Sequence, residues 1–268
     1  MKKYLVFAQS VFKERKAYRT SFYLFLISEI IALFAMVYIW KAIFDNSSEI
    51  MINGFTYLQM VFYVVFSTLS FRLIYTDVDR SIATEIMEGS ISNYLIRPVS
   101  YFGKVISTAL GSIFFTLFYV ILPFLIIFFL MYQKAIMSFG FTLTNVSLFI
   151  VTILLSLTVS ILLDFIVGLF SFYVTYMWGF LLMKETLFRL ASGALFPLSF
   201  LPLSIVSFLQ KTPFYYMNFA PVSILLNQMD VYQAMNVILI LVVWILILSV
   251  IAYRFWKKAI VHMTIAGG

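Results

Sequence analysis

Few side chains in this sequence could perform catalysis, and their spacing matches no catalytic arrangement. Gly103-Lys104 is followed by Val105 and lacks the upstream glycine, so it does not form a phosphate-binding loop. The single histidine, His262, has no neighbouring residues that would complete a zinc site or a nucleophilic triad. The chain has no cysteine, which excludes disulfides and thiolate metal sites. We therefore predict that the chain is not an enzyme and holds neither a metal ion nor a cofactor.

A second group of chemically active side chains lies inside hydrophobic runs, where a charge costs roughly 2.5–3.5 kcal/mol. The group consists of Glu29, Asp164, Lys184, Glu185 and Arg189. Glu185 and Arg189 are four residues apart and can pair on one helix face, whereas Lys184 needs another partner, either Glu29 or Asp164. These charges predict a polar patch at a translocation path or a subunit contact, or else a structural ion pair. Asp164 itself is interpreted as exposed to water near an inner helix end.

The longest polar segment, Asp77–Lys104, separates two apolar runs. Its acidic start and good helix formers predict a helix that reaches Glu88 and ends at Gly89. One face of that helix is apolar and consists of Val78, Ile82 and Ile86. Arg97-Pro98 then redirects the chain into the next apolar run. We interpret the segment as the contact for a soluble partner, and a solvated loop without a partner is the alternative.

The composition is that of a membrane protein. The chain has 268 residues, of which 63% are hydrophobic and 11% charged, whereas soluble domains contain about 25% charged residues. The net charge of +7 lies mostly beside the hydrophobic runs, so anionic lipid headgroups explain it better than nucleic acid. Residues 1–20 are basic, with apolar residues at helical spacing, which predicts a helix lying at the membrane interface.

The apolar runs predict an all-α integral membrane fold with six transmembrane helices in a single domain, 1–268. The predicted spans are Phe22–Phe44, Phe55–Tyr75, Val105–Met131, Val146–Val167, Val174–Phe196 and Ala234–Tyr253. Pro123 should kink the third span. A nearly uncharged run from Val146 to Met183 is too long for one span and should turn near 168–173.

Residues 195–226 differ from the other apolar runs because they contain four prolines. These are Pro197, Pro202, Pro213 and Pro221. Each proline removes a backbone donor that lipid cannot replace, so the segment predicts broken helices that enter from the outer face and pack on protein. Lys and Arg concentrate in the N-terminal segment, in Asp77–Lys104 and at the C-terminus, which places both termini in the cytoplasm.

Two motifs carry a resemblance to a known family. In EIMEGSISNYLIRPVSYFGK, residues 85–104, a glycine precedes a short run that ends in L-x-R-P. SGALFPLSFLP, residues 192–202, has a small residue and a glycine followed by two prolines, and a Pro-aromatic stretch and Ala220-Pro221-Val222 come later. With this order of spans and motifs, the chain resembles the bacterial ABC-2-type transporter permeases that have no large outer domain.

The resemblance implies the membrane subunit of an ATP-driven exporter in the bacterial cytoplasmic membrane. It implies two copies of a separate ABC ATPase subunit that binds ATP and Mg²⁺, and a second permease subunit, identical or different. By position, the coupling region that meets the ATPase contains Glu85, Glu88, Gly89 and Arg97, together with the apolar face and Pro98. The outer gate contains Ser192, Gly193 and the four prolines. The path between permease subunits is lined mainly by the second and fifth spans.

Two other functions remain open at this point. The intramembrane charges could serve an ion-coupled secondary carrier, although the chain lacks the internal repeat that such carriers tend to show. The chain could also be a membrane assembly subunit without transport of its own. Co-purification of an ATPase distinguishes the exporter from both alternatives.

Overall fold

The computed structural model describes residues 2–17, 19–96, 98–174 and 176–261. Within these ranges the regular structure is helical, apart from one isolated β-bridge between Ile52 and Phe55. The helices are α1 (Lys2–Ala17), α2 (Arg19–Asp45), α3 (Tyr57–Ile74), α4 (Val78–Met87), α5 (Ser92–Leu95), α6 (Tyr101–Thr116), α7 (Leu122–Phe139), α8 (Leu143–Leu169), α9 (Trp178–Ala191), α10 (Leu203–Leu209), α11 (Phe214–Met217), α12 (Phe219–Leu225) and α13 (Val231–Val261). Arg97 and His262 lie outside the described residues.

Five helical stretches of the described residues are long and apolar enough to cross a membrane. They are Leu26–Asp45, Tyr57–Met87, Tyr101–Met137, Leu143–Phe172 and Val231–Ile260. The chain is therefore an all-α, multi-pass membrane protein, as the apolar runs predict. The fifth predicted span, Val174–Phe196, is not among these five stretches. The helix in that region, α9, has only 14 residues. At 1.5 Å per residue α9 extends about 21 Å, less than the ~30 Å hydrocarbon core.

The N-terminal helix α1 packs along α6, and two glycines of α6 allow the close approach. A Cβ atom on Gly111 would lie 2.5 Å from the carbonyl oxygen of Ala8, and one on Gly103 would lie 2.7 Å from the ring of Tyr4. The two glycines are eight residues apart, so they lie on one face of α6. Small residues on a membrane helix allow this kind of backbone contact.

The third span is interrupted where the sequence predicts a kink. Residues 117–121 form a π-helical turn between α6 and α7, and Pro123 lies in the first turn of α7. Proline has no N–H to donate to the preceding turn and its ring crowds that turn, so an irregular helix just before Pro123 is expected. A widened π turn absorbs this disruption and lets the helix continue.

Helix α8 is the central element of the bundle and packs against α4, α12 and α13. Its N-terminus is capped by Thr142, whose hydroxyl accepts a hydrogen bond from the N–H of Asn145. It ends at Leu169 and is followed by a 3₁₀ turn, Phe170–Phe172, which coincides with the turn predicted near 168–173. The described side chains of α8 are buried over much of its length, whereas α2 exposes most of its apolar surface.

The proline-rich segment 195–226 forms short helices, as predicted, and each proline lies at or near a helix start. Pro202 precedes α10, Pro213 precedes α11, and Pro221 occupies the first turn of α12, where a missing N–H costs least. All seven residues of α12 are buried. This part of the segment is therefore covered by protein and satisfies its backbone there rather than in lipid.

Candidate functional site

Helix α4 forms where the sequence predicts a helix, and Gly89 follows its end in the left-handed conformation (φ +71°). Its apolar face is directed inwards. Val78 is 5% exposed and Ile82 is 1% exposed, and a Cβ atom on Gly168 of α8 would lie 2.7 Å from the Cβ of Ile82. The prediction that Val78 and Ile82 contact a soluble partner is therefore wrong for this conformation, because α8 of the same chain covers them. Ile86 is half-buried against the same core.

The outer side of α4 and the turn that follows it are exposed. We call this surface the exposed rim, and it consists of Met87, Glu88, Gly89, Ile96 and Pro98. Met87 is 54% exposed and Ile96 is 84% exposed. Two large apolar side chains beside a carboxylate form a surface that a protein partner could cover. Three of the predicted coupling residues, Glu88, Gly89 and Pro98, belong to this rim.

Glu85 has a different environment from the rest of the predicted coupling region. Its carboxylate forms a salt bridge with Lys104, and it accepts a hydrogen bond of 2.8 Å from the hydroxyl of Tyr101. The ring of Tyr101 stacks on Trp256 of α13 with a centroid distance of 4.9 Å, and Lys104 lies over the ring of Tyr94. Glu85 therefore attaches α4 to α6, and Tyr101 of α6 in turn packs against α13.

A buried ion-pair cluster joins α4, α8 and α9. The ammonium group of Lys184 lies 2.5 Å from Oδ2 of Asp79 and 2.6 Å from Oδ1 of Asp164. The hydroxyl of Thr76 donates a hydrogen bond of 2.5 Å to the other oxygen of Asp164. Asp79 and Asp164 are each 2% exposed, and buried carboxylates of this kind need a counter-ion and hydrogen bonds. We call Asp79, Asp164 and Lys184 the lysine cluster.

The lysine cluster settles two questions that the sequence leaves open. Asp164, and not Glu29, is the partner of Lys184, and the interpretation of Asp164 as exposed to water is wrong. Asp79 was not predicted as a partner because it is 105 residues from Lys184 in the sequence. Its position in the first turn of α4 indicated a favourable interaction with the helix dipole, and nothing in the sequence indicated a distant lysine.

A second polar layer lies between α3 and α9. Arg189 and Glu185 form the predicted i, i+4 pair at 3.3 Å. The hydroxyl of Tyr75 donates a hydrogen bond of 3.2 Å to Glu185, and the guanidinium of Arg189 lies 5.2 Å from the ring centre of Phe71. Glu29 lines a cavity beside this layer, together with Arg72 and Arg189.

The predicted gate residues Ser192 and Gly193 lie where α9 ends against α3 and α12. Gly193 has φ +75°, and its carbonyl accepts hydrogen bonds of 2.7 Å from Tyr63 and 3.1 Å from Ser67. The side chain of Asn218 donates a 2.8 Å hydrogen bond to Ser67. Asn218 and Ser67 were not predicted, although Asn218 is an isolated polar residue in an apolar run. Pro197, Pro213 and Pro221 are buried nearby in segment 195–226, while Pro202 is exposed.

A comparison with models of known protein families shows the family to which the chain belongs. The model of the ABC-2 family transporter proteins matches residues 30–267, which is most of the chain. The chain belongs to the ABC-2 family. No curated protein and no solved structure matches it significantly.

As an ABC-2 permease, the chain is a membrane subunit of an ABC transporter and is not itself catalytic. Such a subunit associates with an ABC ATPase subunit. Two parts of the chain around α4 bear on this association: the exposed rim on its outer side and the buried lysine cluster on its inner side. The exposed rim can contact another protein, and the lysine cluster joins α4 to α8 and α9 within the chain.

Proposed function

We propose that this ABC-2 permease is the membrane subunit of an ATP-driven exporter that moves its substrate outward by alternating access. Two copies of a separate ABC ATPase subunit bind ATP and Mg²⁺ and act on a pair of permease subunits, identical or different. The complex lies in a bacterial cytoplasmic membrane, with both termini of this chain in the cytoplasm. The distribution of Lys and Arg supports this orientation.

The observation that supports the proposal best is the attachment of α4. On its inner side α4 is held by Lys184 to α8 and α9, and by Glu85 to α6. On its outer side it presents the exposed rim. A partner that moves the rim therefore also moves α6, α8 and α9, because buried ion pairs resist separation more strongly than solvated ones.

The connection continues from α9 to the outer segment. Helix α9 carries Lys184 near its middle and ends at Ala191, directly before Ser192 and Gly193. Backbone N–H of Phe219 donates a 2.9 Å hydrogen bond to the carbonyl of Ser192, which attaches α12 to the end of α9. We propose that closure of the two ATPase copies displaces α4 and α9, and that this displacement opens the gate formed by residues 192–226.

The exposed rim can be tested by substitution of side chains that are mostly exposed to solvent. The variant Met87→Ala/Glu88→Ala/Ile96→Ala should reduce co-purification of the ABC ATPase subunit by about tenfold or more, since interface anchors of this size contribute about 1–3 kcal/mol each. The measurement is the ratio of ATPase subunit to permease after purification from membranes, together with ATP-driven transport.

The matched control is Lys257→Ala/Lys258→Ala, which changes two exposed side chains at the same end of the bundle. Residue Trp256 on that helix stacks on Tyr101 beside α4, so the control lies close to the rim without belonging to it. We expect wild-type co-purification from the control. Wild-type ATPase binding and transport by the rim variant would overturn the proposed role of α4.

A further inference from the structure

A buried group of polar side chains lies where α9 ends, and two of its oxygens have no hydrogen-bond partner among the described residues. We call Tyr63, Ser67, Ser192 and Asn218 the oxygen cluster, and all four are 0% exposed. The unpartnered atoms are Oγ of Ser192 and Oδ1 of Asn218. Buried polar atoms in proteins nearly always have a partner, so two such oxygens in one cluster point to a ligand that supplies the missing interactions.

The orientation of the Asn218 amide follows from its neighbours. The hydroxyl of Ser67 donates to the carbonyl of Gly193 at 3.1 Å, because a carbonyl oxygen can only accept. Ser67 therefore accepts from Asn218, whose Nδ2 lies 2.8 Å away, and Oδ1 of Asn218 is left as the free acceptor. The backbone N–H of Phe219 donates to the carbonyl of Ser192 at 2.9 Å, so the two residues with unpartnered oxygens belong to neighbouring backbone segments.

The oxygen cluster lies at middle depth in the bundle, beside the negative end of a helix. Tyr63 and Ser67 are about 9 and 15 Å from the start of α3, which is about 27 Å long. Helix α9 ends beside them at Ala191, and the carbonyl end of a helix carries a partial negative charge. Arg189, in the last turn of α9, forms an ion pair with Glu185 at 3.3 Å. The surroundings of the cluster therefore favour a positive charge.

We propose that the oxygen cluster binds a small monovalent cation, Na⁺, at the end of α9. Oδ1 of Asn218 and Oγ of Ser192 are its first ligands, and the hydroxyl oxygens of Tyr63 and Ser67 have lone pairs that can complete an all-oxygen set. All four ligands are neutral, whereas protein sites for Ca²⁺ and Mg²⁺ use carboxylates. A single positive charge is therefore the charge that suits this set. Secondary transporters likewise bind Na⁺ at helix ends near the membrane midplane.

A cation at this position joins three elements of the fold. Tyr63 and Ser67 belong to α3, Ser192 follows the end of α9, and Asn218 directly precedes α12. The ion stabilises the conformation in which these elements meet, because it binds only where their oxygens converge. Binding is therefore measurable as protein stability, without an ATPase subunit or a transported substrate.

The test is thermal unfolding of the purified full-length permease in detergent, with NaCl replaced stepwise by choline chloride at constant ionic strength. Choline is a monovalent cation that is too large for a closely packed site. We expect a saturable rise in melting temperature of about 3–5 °C at a tenfold excess of Na⁺ over its dissociation constant. Equilibrium binding of radioactive sodium measures the affinity directly.

Two variants change the ligands in opposite directions. Ser192→Ala/Asn218→Ala removes both unpartnered oxygens and should weaken Na⁺ binding by about tenfold or more. Asn218→Asp keeps the shape of the side chain and adds a negative charge, so it should strengthen Na⁺ binding by about tenfold. This second variant keeps the site testable if the double alanine variant does not fold.

The matched control is Asn145→Ala/Ser207→Ala, which removes the same two residue types from positions whose hydrogen bonds lie outside the oxygen cluster. We expect it to bind Na⁺ as the wild type does, and an equal loss in this control would overturn the site. Equal melting temperatures in Na⁺ and choline would also overturn it, because an ordered water alone would then account for the two oxygens. So would a response to Na⁺ that neither cluster variant changes. No ATPase subunit is present in these measurements, so failure of the cation site is distinct from failure of the rim variant.

Discussion

Removal of the ammonium group from the lysine cluster is the change with the largest expected effect. Lys184→Met keeps the length and apolar stem of the side chain and deletes only the charge. In the native structure that charge lies 2.5 Å from Asp79 and 2.6 Å from Asp164. The substitution leaves two carboxylates close together with no cation between them.

The size of the effect follows from burial. Asp79 and Asp164 are each 2% exposed, so both carboxylates are largely shielded from solvent. Loss of one partner from a buried ion pair costs about 3–5 kcal/mol. The hydroxyl of Thr76 still donates a hydrogen bond to Asp164, and the N–H of Arg80 still donates one to Asp79. Because these hydrogen bonds remain, we expect the loss of unfolding free energy to stay within about 3–5 kcal/mol.

The assay is chemical denaturation of the purified permease in detergent micelles, with the exposed Lys257→Met as the matched control. The control should change the free energy of unfolding by less than about 0.5 kcal/mol, as is usual for surface substitutions. In the Lys184→Met background, Asp79→Asn and Asp164→Asn should together restore roughly 2 kcal/mol, because neutral amides no longer repel each other. This triple variant, Lys184→Met/Asp79→Asn/Asp164→Asn, should bind the ATPase subunit but transport less substrate per ATP.

Two results would refute this reasoning. A loss below about 1 kcal/mol for Lys184→Met would match a solvated surface pair and not a buried one. A triple variant that is less stable than Lys184→Met alone would show that the carboxylates have other partners and that the lysine does not hold them.

Two further substitutions test the gate and the second attachment of α4. Gly193→Ala should destabilise the permease by about 1–3 kcal/mol, because φ is +75° and the new Cβ would lie 2.9 Å from the hydroxyl of Tyr63. Gly54→Ala is the control in the same thermal-unfolding assay, because Gly54 also has a positive φ (+82°) but an added Cβ would meet no atom within 4 Å. The control should lose less stability than Gly193→Ala. Equal losses of stability would contradict close packing around Gly193. Glu85→Gln should cost about 3 kcal/mol in unfolding free energy by leaving the charge of Lys104 buried without its counter-ion. The additional change Lys104→Met should recover part of this loss, and no recovery would contradict the pairing.

The sequence predicts most of the helices because long apolar runs and helix-ending residues are local signals. Gly89 and the prolines of 195–226 mark helix ends and starts in the chain itself, and the structure has helix boundaries near them. The fifth span is the exception. The sequence remains apolar past Ala191, but α9 ends there. Gly193 adopts the left-handed conformation, and its carbonyl accepts a hydrogen bond from Tyr63 of α3.

The candidate site is less predictable because its contacts join distant parts of the chain. The spacing of Val78 and Ile82 correctly predicts an apolar face on α4, but spacing does not show whether a partner or the same chain covers that face. Likewise the pair of Lys184 with Asp79 depends on α9 lying antiparallel beside α3 and reaching α4, which no local pattern specifies. The i, i+4 pair of Glu185 and Arg189 is predicted because both residues share one helix.

A site-specific crosslink can show whether the exposed rim contacts an ABC ATPase subunit. Because the chain has no native cysteine, Glu88→Cys introduces a single thiol on the rim, and a short photoreactive crosslinker can be attached to it. Tyr232→Cys, at an exposed position near the start of α13, provides the matched control at the opposite end of the bundle. We expect a covalent product with the ATPase subunit from Glu88→Cys and none from Tyr232→Cys. Absence of the product from Glu88→Cys in a complex that contains the ATPase subunit, or equal products from both positions, would contradict it.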